Sequence, residues 1–184
     1  MPNCASSCVN ARMTRRVEIP LMDTLPVRIE TRTIVADGRH NAFTDLALWQ
    51  GQLWLAYRSS PTHFYSRRSR IVLLRSQDGQ EWSETARFDG YGVDIRDPKL
   101  AVIAGRLTLF VLLNHSLDPR PSRTMTAASA DGVSWSPLVP AAPGGWLLGK
   151  PKCAADVTWF AAGHNLDLST VELLRMEERG GWHF

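Results

Sequence analysis

Apolar residues in this chain recur in short alternating runs broken by Gly, Pro and Asp. No stretch keeps the i, i+3, i+4 spacing of an amphipathic helix. Asp45-Leu-Ala-Leu-Trp-Gln-Gly51-Gln-Leu-Trp-Leu-Ala-Tyr57-Arg58 reads as strand, tight turn, strand, and Pro98-Lys-Leu-Ala-Val-Ile-Ala-Gly105-Arg-Leu-Thr-Leu-Phe-Val111 reads the same way. Lys150 to Ala162 is a looser third version, turning at Asp156. β-branched and aromatic residues flanking a Gly or Asp turn signal a hairpin. A further strand, such as Arg70-Ile-Val-Leu-Leu-Arg75, leads out of each hairpin.

These strands end in a repeated turn. Ser76-Gln-Asp78-Gly79-Gln-Glu-Trp82 returns as Ser129-Ala-Asp131-Gly132-Val-Ser-Trp135, with the two tryptophans 53 residues apart. The pattern is S-x-D-G-x-x-W. A worn third copy keeps Leu174-Arg175 and Trp182, while Met176 and Glu178 replace the Ser and Asp. That repeat also predicts strand over Leu166 to Glu178, the best helical candidate in the chain. Each unit is thus expected to hold about four antiparallel strands in roughly 50 residues, the pattern of a β-propeller blade. A two-layer sandwich is the alternative, but it needs no motif at a fixed period. Within the turn, Ser and Asp hydrogen-bond nearby backbone. Gly79 and Gly132 supply positive φ, and the Trp plugs the gap between blades.

Composition narrows the function classes. At 184 residues with 44% hydrophobic and 21% charged residues, the chain is an ordinary globular protein. The net charge of +3 rests on arginines spread along the chain, the only lysines being Lys99, Lys150 and Lys152. Scattered charge argues against nucleic acid as a partner. No apolar run reaches the ~18 residues of a membrane span, so no membrane partner is expected either. Cys4, Cys8 and Cys153 form no disulfide framework. The five histidines fall at no metal-ligand spacing, so neither a metal nor a cofactor is expected. Met1 to Asn10 lacks the pattern of a secretory signal, which points to the cytoplasm. Residues 1–27 are expected to be a tail that is disordered or precedes the true start, with Met13 and Met22 as alternative starts.

The repeated turns resemble the Asp-box, or bacterial neuraminidase repeat, of the sialidase superfamily, one residue tighter than the usual form. The string His40-Asn-Ala-Phe-Thr-Asp45-Leu, Tyr57-Arg58, His63 and Asp94-Ile-Arg96-Asp97-Pro98-Lys99-Leu100 is similar to the start of bacterial sialidase-like glycosidases, over residues 28–184. The resemblance implies an all-β propeller of sialidase type. About three four-stranded antiparallel blades of an expected six would be present, with the third ending one strand short. It also implies a glycoside hydrolase acting on a terminal sugar such as sialic acid, here as an N-terminal portion that is inactive alone. A truncated gene product is the preferred explanation. A non-catalytic carbohydrate- or protein-binding module is the alternative. So is a furanosidase-like glycosidase, since Arg96-Asp97-Pro98 also resembles the R-D-P element of invertase-type enzymes. Open blade faces and strand edges favour self-association, and a dimeric propeller is one form this could take.

Propeller sites lie on the innermost strands around the axis, expected here to begin near Thr44-Asp45, Arg96-Asp97 and Lys150-Lys152. Glycosidic cleavage needs an acid/base carboxyl and a nucleophile, which in sialidases is a Tyr; Asp45 and Asp97 are the catalytic candidates, and either could instead pin a turn. Arg58 and Arg96 are substrate-binding candidates because guanidinium forks match carboxylates, His63 because its polar loop could overhang the channel, and Lys152, with Lys150, because it could neutralise an anionic substrate. A strand-end Arg, an ion-paired turn, a solvated loop His and a solubilising Lys are the structural alternatives. The only tyrosines, Tyr57, Tyr65 and Tyr91, make no convincing Tyr–Glu nucleophile pair.

Overall fold

A computed structural model describes residues 14–16, 29–116, 123–165, 167–176 and 182–183. The chain divides into two compact units, residues 1–39 and 40–184. In the first, β1 (Thr14–Arg16) pairs antiparallel with β2 (Glu30–Arg32). The rest of the expected tail, residues 1–13 and 17–27, lies outside the described residues, but Thr14–Arg16 is strand.

The second unit holds three antiparallel sheets in series, and no helix occurs among the described residues. The first blade is β3 (His40–Trp49), β4 (Gln52–Ser60), β5 (Arg70–Ser76) and β6 (Ser83–Asp89), in that order. The second is β7 (Asp94–Ile103), β8 (Arg106–Asn114), β9 (Arg123–Ser129) and β10 (Val139–Pro140). In the third, β11 (Trp146–Leu148) and β12 (Lys152–Cys153) both pair with β13 (Trp159–Asn165), which pairs with β14 (Thr170–Met176). β15 (Trp182–His183) pairs with the end of β14, so the third blade has its outer strand, which the sequence reading left out. The predicted hairpins turn on Gln50-Gly51 and Ala104-Gly105, all four residues at positive φ. That backbone matches the twist of the flanking strands.

Two apolar layers join the blades. Trp54, Ala56, Ile71 and Leu73 of the first blade pack on Ile95, Leu100, Leu107 and Leu109 of the second. Phe110 and Ala101 of the second meet Trp146, Leu148, Leu174 and Trp182 of the third. Polar pins cross the same seams. Trp49 Nε1 donates to the Gly105 carbonyl at 3.0 Å. Thr124 Oγ1 donates to the Trp146 carbonyl at 2.9 Å and accepts from Leu148 N at 3.1 Å.

Both S-x-D-G-x-x-W turns form, with the same bonding. Ser76 Oγ accepts from Gly79 N and Ser129 Oγ from Gly132 N, each at 2.8 Å. Asp78 Oδ1 accepts from Gln80 N and Glu81 N at 2.7 and 3.1 Å. Asp131 Oδ1 accepts from Val133 N and Ser134 N at 2.8 and 2.7 Å. Trp82 and Trp135 close the turns by donating Nε1 to the Gly79 and Gly132 carbonyls at 3.2 and 3.3 Å. The expected plugging holds for Trp135, which meets Phe88 of the first blade edge-on at 5.3 Å between ring centres. Trp82 belongs to neither apolar layer. Residues 177–181 of the worn third copy lie outside the described residues.

Candidate functional site

The inner strand of every blade carries one extra residue at the same level. Pairing shifts by one between Ala42 and Asp45 in β3, and between Arg96 and Lys99 in β7. It shifts again between Leu148 and Lys152, where β11 gives way to β12. Such bulges bend a strand and re-aim its side chains. Pro98 and Pro151 suit this place, because proline has no N–H to offer a ladder. Phe43 and Asp97 occupy the same bulge position, both at positive φ (54° and 49°).

This alignment corrects the expected register. Asp45 corresponds to Lys99 and Lys150, whereas Arg96-Asp97 corresponds to Ala42-Phe43. Of the three aligned positions one is acidic and two are lysines, and the structure connects the Asp with one of the lysines. Lys150 Nζ donates to Asp45 Oδ1 at 2.7 Å and to the Leu46 carbonyl at 3.1 Å. Asp45 Oδ2 accepts from the Leu100 backbone N–H at 2.7 Å. One half-buried carboxylate therefore ties together the inner strands of all three blades.

A second cluster lies at the start of β7. Asp94 is fully buried, with Oδ1 accepting from Arg58 Nη2 at 2.7 Å. Its Oδ2 accepts from Arg96 Nε at 2.7 Å and also from Arg96 Nη2. Arg58, expected to meet substrate, has 0% of its side chain exposed. It spends its other donors on the carbonyls of Ile95 (3.2 Å), Thr62 (3.1 Å) and Phe64 (2.9 Å). Its place is structural. It clamps the loop that presents His63, because two of its acceptors flank that residue. Arg96 is mostly buried and also committed to Asp94. Asp94 was not among the sequence candidates. Its signal was the Asp94-x-Arg96 spacing, which on a strand puts both side chains on one face.

His63 is exposed, and its Nδ1 lies 3.3 Å from His40 Nε2, with the rings edge to face. Phe43, the bulge residue of β3, lies beside it at 5.6 Å between ring centres. His40 Nδ1 is buried with no hydrogen-bond partner. Asp97 is partly buried, and Lys152 is exposed on β12. Among the described residues, no group of three His, Cys, Asp or Glu side chains is placed to hold a metal ion. The turn carboxyls are off the inner strands. Asp78 sits below its ordinary pKa because Gln80 and Glu81 N–H groups bond its charged form. Asp131 sits well below the usual carboxylate range, chiefly through Val133 N–H and then Ser134 N–H.

No protein-family model and no curated protein matches the chain. Solved structures do. A GH43_1 enzyme from Xanthomonas citri, complexed with xylotriose, superposes with TM-score 0.62 at 12% identity, over 81% of this chain and 54% of that one. An alpha-L-arabinanase from Penicillium chrysogenum, complexed with arabinobiose, gives TM-score 0.52 at 20% identity, over 72% of this chain and 45% of that one. A sialidase overlaps at TM-score 0.48 and 12% identity, over 79% of this chain and 21% of its own, too weak an overlap to carry an argument.

The chain is a partial β-propeller. It spans about half the length of these two solved structures. The expected fold class thus stands, while the expected sialidase character finds no specific support.

Proposed function

We propose that this partial propeller is the sugar-facing portion of a glycoside hydrolase, taking a terminal sugar residue at the inner-strand bulges. The observation that carries the reading is the Asp45 carboxylate, pinned by Lys150 and the Leu100 N–H where three inner strands converge. A carboxylate held without freedom to swing suits transition-state stabilisation or a nucleophile's role, since preorganised charge costs no reorganisation during reaction. Asp97, on the next inner strand, is the second carboxyl that glycosidic cleavage calls on. Lys152 and His63 offer donors to sugar hydroxyls from the exposed rim.

The sugar is neutral rather than sialic acid. Carboxylate recognition needs free guanidinium forks, and Arg58 and Arg96 are both spent on Asp94. The GH43 enzyme and the arabinanase, whose complexes hold xylotriose and arabinobiose, support a neutral pentose. A non-catalytic carbohydrate-binding module is the second reading. It is favoured because both Asp45 oxygens already have partners within the protein.

The purified chain should be titrated with 4-methylumbelliferyl xyloside, arabinofuranoside and sialoside, following binding by ligand-observed NMR and turnover by fluorescence. The expected result is saturable binding of a neutral glycoside, weakened at least tenfold, about 1.4 kcal/mol, by Asp97→Asn and by Asp45→Asn. Fluorophore release that Asp97→Asn abolishes marks a hydrolase, and binding without release marks the module. No binding to any of the three refutes both readings, and a preference for the sialoside refutes the neutral-sugar assignment.

A further inference from the structure

The histidines show no ligand spacing in the sequence, but folding brings two of them, 23 residues apart, face to face. His40 opens β3 opposite Ser60, the last residue of β4, and His63 lies in the loop that follows β4. His63 Nδ1 and His40 Nε2 stand 3.3 Å apart. The loop is held for this approach. The buried Arg58 donates to the Thr62 and Phe64 carbonyls, on either side of His63. The rings of Phe43 and Phe64 flank the His63 ring at 5.6 and 5.7 Å between centres. Both imidazoles are thus set before any ligand arrives, which lowers the ordering cost of binding one.

We propose that His40 Nε2 and His63 Nδ1 bind a zinc ion at the start of β3, with Ser60 orienting His40 and water completing the coordination. The separation selects the metal. Zinc binds histidine nitrogen at about 2.0–2.1 Å, so two such bonds spanning 3.3 Å open at about 107°, close to tetrahedral. A square-planar ion wants neighbouring nitrogens at about 90°, which draws them to roughly 2.9 Å. Magnesium and calcium take oxygen ligands. Ligation through the two facing nitrogens leaves each ring's proton on its far nitrogen, His63 Nε2 and His40 Nδ1. His63 is exposed, so its N–H donates to water. His40 Nδ1 is buried without a partner, and so is the hydroxyl of Ser60 on the directly opposite residue. Opposed residues of a strand pair carry their side chains on one face. A ligating histidine ordinarily donates its second ring N–H to a neighbouring acceptor, and Ser60 Oγ is the open acceptor on that face. Two protein ligands make the site exchangeable, since structural zinc is held by four. The bound ion would tie the β4–β5 loop to the first inner strand.

Zinc chloride titrated into the full chain, in buffer free of chelators and of sugar, tests this by calorimetry and by heteronuclear NMR of the histidine rings. The expected result is saturable binding that shifts His40 Nε2 and His63 Nδ1 and slows amide exchange at residues 62–64. His63→Ala, a change in an exposed loop, should weaken that binding at least tenfold, and so should His40→Ala. Ser60→Ala should weaken it less than either, while both nitrogens remain ligands. His164→Ala removes a histidine outside the pair and should leave binding at the two rings unchanged. Circular dichroism checks that each variant remains β-rich. Ring nitrogens unmoved at millimolar zinc, unchanged affinity in His63→Ala or in Ser60→Ala, or displacement of the zinc by equimolar magnesium would each overturn the proposal. No sugar is present, so this outcome is independent of the glycoside titration.

Discussion

The two repeated turns allow the packing cost of one methyl group to be separated from its backbone cost. Gly79 and Gly132 occupy the same motif position with nearly the same backbone, φ +72° and +75°. Alanine at either site adopts a left-handed conformation that costs about 1–2 kcal/mol. The surroundings differ. A Cβ on Gly79 would have its nearest neighbour, Leu53 Cδ1, at 3.5 Å, an ordinary contact. A Cβ on Gly132 would fall 1.9 Å from Trp54 Cη2 and 2.7 Å from Cζ2 and Cζ3. Trp54 has little room to yield, being 1% exposed and donating its indole N–H to the Trp49 carbonyl. Overpacking of this kind adds about 1–3 kcal/mol. Gly79→Ala should therefore cost about 1–2 kcal/mol, and Gly132→Ala about 2–5 kcal/mol. Urea unfolding followed by tryptophan fluorescence and circular dichroism measures both. Equal losses in the two variants, within about 0.5 kcal/mol, would refute the claim that this turn of the second blade is seated on the first blade's tryptophan.

Other perturbations test the remaining geometry. Asp94→Asn leaves Arg58 and Arg96 as buried cations without their shared anion, and should cost about 3–5 kcal/mol in urea unfolding; a loss below 1 kcal/mol, about the scale of a surface pair, would show that the guanidiniums are solvated. Arg58→Lys keeps the charge but loses the planar fork, so it should raise amide exchange around His63 more than anywhere else in the first blade; uniform exchange would refute the clamp. The turn carboxyls predict an acid-side signature. Asp78 and Asp131 have folded pKa values below the unfolded value near 3.9, so their stabilisation is complete above that value and is lost as pH falls through the folded ones. The stability gap between wild type and an Asp78→Asn/Asp131→Asn variant should be constant above about pH 5 and should shrink below about pH 4; a gap unchanged down to pH 2 would refute it.

Local chemistry alone determined much of this protein. Gly51 and Gly105 marked hairpins because a two-residue turn needs positive φ, and those turns formed. Ser76-x-Asp78-Gly79 and Ser129-x-Asp131-Gly132 specified the same turn twice because every hydrogen bond in it spans only two or three residues. Alternation with period two placed the hairpin strands, and the match to the repeat placed the strand at 170–176 that a helical reading would have claimed. The candidate site was legible only as a set of polar residues at strand entries. Which of them share a level depended on an extra residue in each inner strand, and a bulge leaves no periodic trace when it is one residue long. The pairing of Asp45 with Lys150 spans 105 positions and exists only because three blades converge. Arg58 moved from presumed ligand contact to buried clamp for the same reason, since Asp94 arrives from the neighbouring blade. Burial and charge partnership are properties of surfaces brought together by folding, and only the tertiary structure decided them.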